Sequence, residues 1–197
     1  MVNLFYLDHD PKKCAIYYCD KHVVKIPVEI CQILSQIYHE LGTKKPPYKR
    51  CKGISFNLNT YLWAKESVEN YKYCTDLAME LLNEYKHRYN KTSHKSEKAL
   101  KWLQDNVPPI KLKKRTKFKL SKNIEIYNEF YPDVVKASRL IYVDFKCKND
   151  RWSKREKPKW FDPLKKKNQA DKLKLKNKIM YMVRNELPDI MKNKDVK

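Results

Sequence analysis

The sequence predicts an all-α fold: a single-domain helical bundle with basic loops and a lysine-rich C-terminal helix. Three observations carry this. Apolar residues recur at helical spacing in the long segments, as Val23, Ile26, Ile30 and Ile33 do. Start and stop signals bracket those segments, with Asp10-Pro11 and Asp20 at beginnings and Gly42 at an end. Between them lie loops rich in lysine and proline, and no internal repeat is present.

Taken in order, residues 2–7 are a short apolar run that suits an extended segment or a buried N-terminal arm. Asp10 accepts from free amides as an N-cap and Pro11 suits the first helical position, so a helix is expected from Pro11 to about Tyr18. Asp20 then caps a helix running from about Lys21 to Leu41, closed by Gly42, with Pro27 inside it removing one backbone bond and favouring a kink. Thr43 to Ser55 reads as a basic loop, followed by one long helix from Tyr61 to about Tyr89. Near its end Glu84 and Arg88, beside Tyr85 and Tyr89, form an i,i+4 pair of the structural kind. Ser96 to about Asn106 is a short helix stopped by Val107-Pro108-Pro109, and residues 111–122 are a basic run interrupted by Leu112, Phe118 and Leu120. Helices are expected over Asn123 to about Tyr131 and Asp133 to about Lys146, then a basic loop over Lys148 to Phe161 with two tryptophans. The chain closes with an amphipathic helix from about Gln169 to Leu187, fraying towards the end. The expected division is a helical domain over 1–162 and a basic extension over 163–197.

Charge is the loudest compositional signal: 44 Lys and Arg against 23 Asp and Glu give a net charge of +21. Counterion release from phosphates rewards such an excess, which makes nucleic acid the leading partner ahead of an anionic membrane surface or an acidic protein. Only two glycines occur, Gly42 and Gly53, so phosphate-cradling and dinucleotide-binding glycine loops are excluded. No apolar run reaches the roughly 20 residues that span a bilayer. The six cysteines lack the regular framework of a small secreted fold and read as reduced thiols of an intracellular protein.

One stretch concentrates chemistry. On the helix that begins near Asp20, the residues His22, Lys25, Glu29 and Gln32 share one face while the apolar stripe occupies another. An imidazole, an ammonium, a carboxylate and an amide in one row have the composition of a site; the plainer reading is a packing histidine beside a weak Lys25–Glu29 pair, worth a few tenths of a kcal/mol. Cys19 and His22 have the spacing of a metal-ligand pair, but no second close pair completes a zinc site. A thiol nucleophile at Cys19 or Cys31 is weighed against packing. A carboxylate at Glu29 set among positive charge can stabilise an oxocarbenium, activate water or assist ring opening at a deoxyribose. Lys25 can hold a phosphate or, if desolvated, act as a Schiff-base amine. Neither role is decided by the residues alone.

The runs Asp10-Pro-Lys-Lys-Cys-Ala15, Cys19-Asp-Lys-His-Val-Val-Lys25, Glu29-Ile-Cys-Gln32, Trp63 to Tyr71, Glu84 to Tyr89 and Pro158-Lys-Trp-Phe161 resemble a group of uncharacterised phage and large-virus proteins, over residues 3 to about 161. That group is in turn similar to the pyrimidine-dimer DNA glycosylases of the endonuclease V type, through helix order and an early Asp-x-His followed seven residues later by Glu. The resemblance implies that His22 contacts DNA near the site and that Glu29 is the catalytic carboxylate of a base-excising glycosylase. Where that family has arginines flanking its Glu, this chain has Val28 and Gln32, and the segment ahead of Asp20 is longer, so the family's lyase step through the α-amine is not carried over.

The expectation is therefore a DNA-binding protein, acting as a DNA N-glycosylase on damaged or modified pyrimidines of duplex DNA, with Glu29 and His22 at the reaction and no cofactor or metal. Its nucleic-acid contacts are expected from Lys21, Lys25, Gln32, Arg88, Lys113, Lys114, Arg115, Lys117, Lys136, Arg151, Lys154 and Arg155. Trp63 and Tyr71 are candidate wedges for base extrusion, set against core packing. The rival from another class is a non-enzymatic basic nucleic-acid-binding protein, such as a viral genome-packaging or virion component; a third is a module that grips an acidic protein.

Overall fold

The computed structural model describes residues 4–50, 58–120, 133–143 and 151–185. Among these the chain is all-α, with seven helices and no strand. It divides into two compact units, residues 1–158 and 159–197.

The first unit is built on two 22-residue helices, α2 (Asp20–Leu41) and α4 (Val68–Tyr89). They run antiparallel, because Asp20 meets Arg88 at one end while the Tyr38 and Tyr71 hydroxyls lie 3.3 Å apart at the other. The helices α3 (Asn59–Glu66) and α5 (Glu97–Asp105) pack beside them, and α1 (Pro11–Tyr17) lies on α4. The short α6 (Val134–Ile141) completes the unit, and α7 (Phe161–Asn185) belongs to the second. The N-terminal residues Leu4 to Leu7 form a buried arm, the second of the two alternatives expected for this run. They are held by Tyr18, whose hydroxyl accepts from Phe5 N (2.7 Å) and donates to Phe5 O (2.8 Å).

Cap chemistry explains several boundaries. Asp10 accepts from Lys12 N and Lys13 N at the start of α1, and Gly42 closes α2 in the left-handed conformation (φ 64°) that a residue without Cβ adopts at no cost. Asn90, at φ 52°, does the same for α4, since its short polar side chain tolerates that region. Pro27 lies within the single span of α2, where it withholds the bond a residue there would donate four residues back.

Three expectations are corrected. The α2 N-cap is Cys19 and not Asp20, whose carboxylate is turned to other partners described below. The single long helix expected from Tyr61 is two helices, broken at Ser67, which is extended (φ −144°, ψ 156°) and whose hydroxyl accepts from Asn70 N. The break persists because a distant segment supplies what a helix start lacks: Leu112 O and Lys113 O accept from Val68 N and Glu69 N. The final helix begins at Phe161, eight residues ahead of Gln169, while the helix expected over 123–131 lies outside the described residues.

The segment that meets the α4 start is fastened by Asn70, whose side chain is fully buried. Its amide donates to Trp63 O (2.8 Å) and Thr116 Oγ1 (2.7 Å), and its carbonyl accepts from Thr116 N (3.0 Å). Trp63 Nε1 adds a bond to Thr116 O at 3.1 Å. Trp63 and Tyr71 are themselves fully buried, so both are core residues and neither is a wedge. An Asn70→Ala substitution strands the Thr116 amide and the Trp63 carbonyl. Urea unfolding followed by tryptophan fluorescence should show a loss of about 2–3 kcal/mol.

Candidate nucleic-acid interface

The polar stripe of α2 is real but unevenly exposed. Lys25 Nζ lies 2.7 Å from Glu29 Oε1, the lysine side chain 57% exposed and the glutamate 8%. Gln32 is half-buried one turn further on. Glu29 lies close enough to Tyr18 for its charge to help raise that phenol, after burial, which is the larger cause. An exposed, paired Lys25 lacks the desolvation that a Schiff-base amine requires.

His22 is buried and serves as a clasp. The Tyr142 hydroxyl accepts from Cys19 N (2.8 Å) and lies 2.8 Å from His22 Nδ1, within hydrogen-bond distance. Cys19 Sγ lies 3.2 Å from the same Nδ1. The bond joins the start of α2 to the residue just past α6. Cys14, five residues ahead of Cys19, faces Leu7 N and Phe5 O, and no group of three or more His, Cys, Asp or Glu side chains among the described residues is placed to hold a metal. Among the described residues Cys14, Cys19, Cys31 and Cys74 are buried thiols outside any disulfide. Burial pushes the Cys14 thiol up to about 11 and Cys31 to about 12, the wrong direction for a thiolate nucleophile.

Several expected phosphate contacts are used internally. The Arg88 side chain has no exposed surface. Its Nε donates to Glu84 (2.8 Å), Nη1 to Tyr18 O (2.8 Å) and Asp20 (3.2 Å), and Nη2 to Ile16 O (3.0 Å). Arg155 grips Glu84 from the other side with two bonds, 3.0 and 2.6 Å. Asp20 accepts from Ser153 N and from Ser153 Oγ at 2.6 Å. Lys154 reaches back to His87 O and Asn90 at the α4 end. Arg88 is therefore corrected to a structural residue, and Arg155 and Lys154 are engaged within the fold. Arg151 is held more loosely: its carbonyl accepts from Asp20 N (2.9 Å) and its Nε lies 3.9 Å from Asp20 Oδ2, while its side chain is 84% exposed.

The basic run is a regular cationic display. From Arg115 onward it alternates: Thr116, Phe118 and Leu120 turn inward or are half-buried, while Arg115, Lys117 and Lys119 are exposed. Extended backbone puts alternate side chains about 6.6 Å apart on one side. Arg115 stacks over Tyr73, its guanidinium carbon 4.9 Å from the ring centroid, and donates to His9 O. Lys119 pairs with Glu66 (3.0 Å). Lys113 and Lys114 are exposed, as are Lys21 on α2 and Lys136 on α6.

A cavity of about 310 Å³ opens between the end of α2, α3 and residues 109–112, lined by Leu41, Glu40, Glu66 and Leu112 among others. It does not include His22 or Glu29. Sequence reasoning missed Tyr142, Asp20 and Ser153 as partners, and no spacing signals them, since Tyr142 lies 120 residues from His22.

What fold and surface define is a helical protein with a basic, partly ordered exterior and no segment among the described residues long and apolar enough to cross a membrane. No family model, no curated protein and no solved structure matches the chain.

The buried network sets a pH response. Burial alone would raise Glu84, but the hydrogen bonds from Arg155 and Arg88 outweigh it and hold the carboxyl below its ordinary value of 4.5. A lowered folded value means the stabilisation is fully present above about pH 4.5 and fades as pH falls through the folded value. Glu84→Gln should cost about 3 kcal/mol at neutral pH by leaving buried arginine charge uncompensated. It should also flatten the acid limb of stability, measured as the urea midpoint between neutral pH and pH values below 4.5.

Proposed function

We propose that this chain is a nucleic-acid-binding protein with DNA as its partner. The observation that carries the reading is the basic segment 111–119, pinned at Thr116 by Asn70 and Trp63 so that its backbone is ordered in advance and its lysines stand outward. Lys113 and Lys114 have no acidic partner among the described residues, whereas Lys119 is paired with Glu66. Free cations held in place are what a phosphate backbone rewards, because each neutralised phosphate releases condensed counterions.

Fluorescence anisotropy of a labelled duplex across a salt series tests this. The logarithm of affinity should fall linearly with the logarithm of salt concentration. Replacing Lys113, Lys114 and Lys117 with Gln should flatten the slope by roughly 0.9 for each phosphate that is no longer neutralised. An unchanged slope in the triple variant would remove this segment from the interface.

A second reading, a DNA N-glycosylase acting on damaged or modified pyrimidines, is favoured by one specific feature: Glu29, a carboxylate 8% exposed and joined to the surface cation Lys25. A desolvated carboxylate at the edge of a basic face suits stabilisation of a developing oxocarbenium. His22 then acts by positioning, through its bond to Tyr142. Strand cleavage with and without alkali, on duplexes carrying a panel of altered pyrimidines, compares wild type with Glu29→Gln. Cleavage abolished in the variant with affinity retained supports the enzyme; affinity without cleavage of any substrate rejects it and leaves a binding protein.

A further inference from the structure

We infer that Tyr85 and Tyr89 form a stacking platform for unpaired bases, which makes single-stranded nucleic acid a partner of this chain; the inference rests on the nucleic-acid reading above.

The two rings sit one turn apart near the end of α4, centroids 5.4 Å apart and tilted by 38°. His94 stands edge-on to Tyr85 at 4.9 Å and 85°, and its Nε2 lies 3.3 Å from Val24 O on α2. Tyr89 is 37% exposed although it is a large ring on a well-packed helix.

The other tyrosines show why this pair is unusual. Tyr18, Tyr38, Tyr48, Tyr61, Tyr71 and Tyr73 each use the hydroxyl in a hydrogen bond within the protein. The Tyr85 and Tyr89 hydroxyls make none among the described residues; Tyr89 is exposed and Tyr85 half-buried, so neither ring is fastened into the core. A ring face offered to solvent beside cations is the arrangement on which bases stack while the backbone is neutralised.

The cations are in place. Lys21 and Lys25 are exposed on α2, on either side of Val24, whose carbonyl meets His94; Lys25 is also paired with Glu29. Arg151, 84% exposed and 3.9 Å from Asp20, acts electrostatically on Tyr89, as Asp20 itself does. Their sign favours an anionic ligand over the other one that aromatic clusters take, a methylated ammonium. Duplex DNA fits poorly, because its base faces are already stacked inside the helix. An unpaired base has its face available.

Anisotropy titrations of the full chain would use a short single-stranded oligothymidylate, an abasic strand of equal length and charge, and a duplex. The base-bearing strand should bind roughly 5- to 150-fold tighter than the abasic one for each base stacked. Tyr89→Leu and Tyr85→Leu should erase that difference with the salt slope unchanged, and Tyr89→Phe should retain it. Equal affinity for the abasic and base-bearing strands overturns the platform while leaving phosphate binding intact, as does weakening of abasic-strand affinity in the Leu variants equal to that for the base-bearing strand. Failure of all three nucleic acids to bind overturns the platform and the broader reading together.

Discussion

One guanidinium holds the end of this molecule where most of its chemistry-bearing residues gather. Arg88 takes carbonyls from α1 and the residue after it, a carboxylate from the first turn of α2 and another from its own helix. A buried charge survives only when its donors are satisfied in good geometry, and a planar fork with donors fixed in direction dictates where three backbone segments must lie. The loop over residues 151–155 then closes the network from outside, through Arg155 on Glu84 and Ser153 on Asp20. The start of α2, with Lys21, His22 and Lys25 on it, is placed by these bonds.

The same network decides which cations can serve outward. A net charge of +21 says little about which lysine or arginine meets a partner, since a buried bidentate pair and a free surface ammonium count equally in composition. The fold commits Arg88 and Arg155 to carboxylates and Lys154 to the carbonyl end of α4. It leaves Lys21, Lys113, Lys114 and the side chain of Arg151 exposed. Two cationic regions result, at opposite ends of α4: one on the extended segment at its start, the other around the tyrosines at its finish. A 22-residue helix separates its ends by about 33 Å.

The α2 stripe shows the limit of reading a site from a helical face. Spacing places His22, Lys25, Glu29 and Gln32 in one row, and the row exists. Its members have separate environments: His22 turns to Tyr142 under the N-terminal arm, while Lys25 stays in solvent and covers Glu29. Periodicity reports direction around one helix axis. It carries nothing about which other helices cover that direction.

What the sequence determined by itself is local. The α1 start at Asp10-Pro11, the α2 end at Gly42, the Glu84–Arg88 pair and the extended arm before Asp8 follow from cap chemistry, glycine's freedom at positive φ and i,i+4 spacing, all of which act within a few residues. Tertiary structure decided the rest. The break at Ser67 depends on carbonyls from Leu112 and Lys113, the orientation of Asp20 on Ser153, and the duty of His22 on Tyr142. Those partners stand between 44 and 133 residues away. At that range only the folded chain says which buried donor meets which acceptor, because a buried polar group can pair only with what packing brings to it.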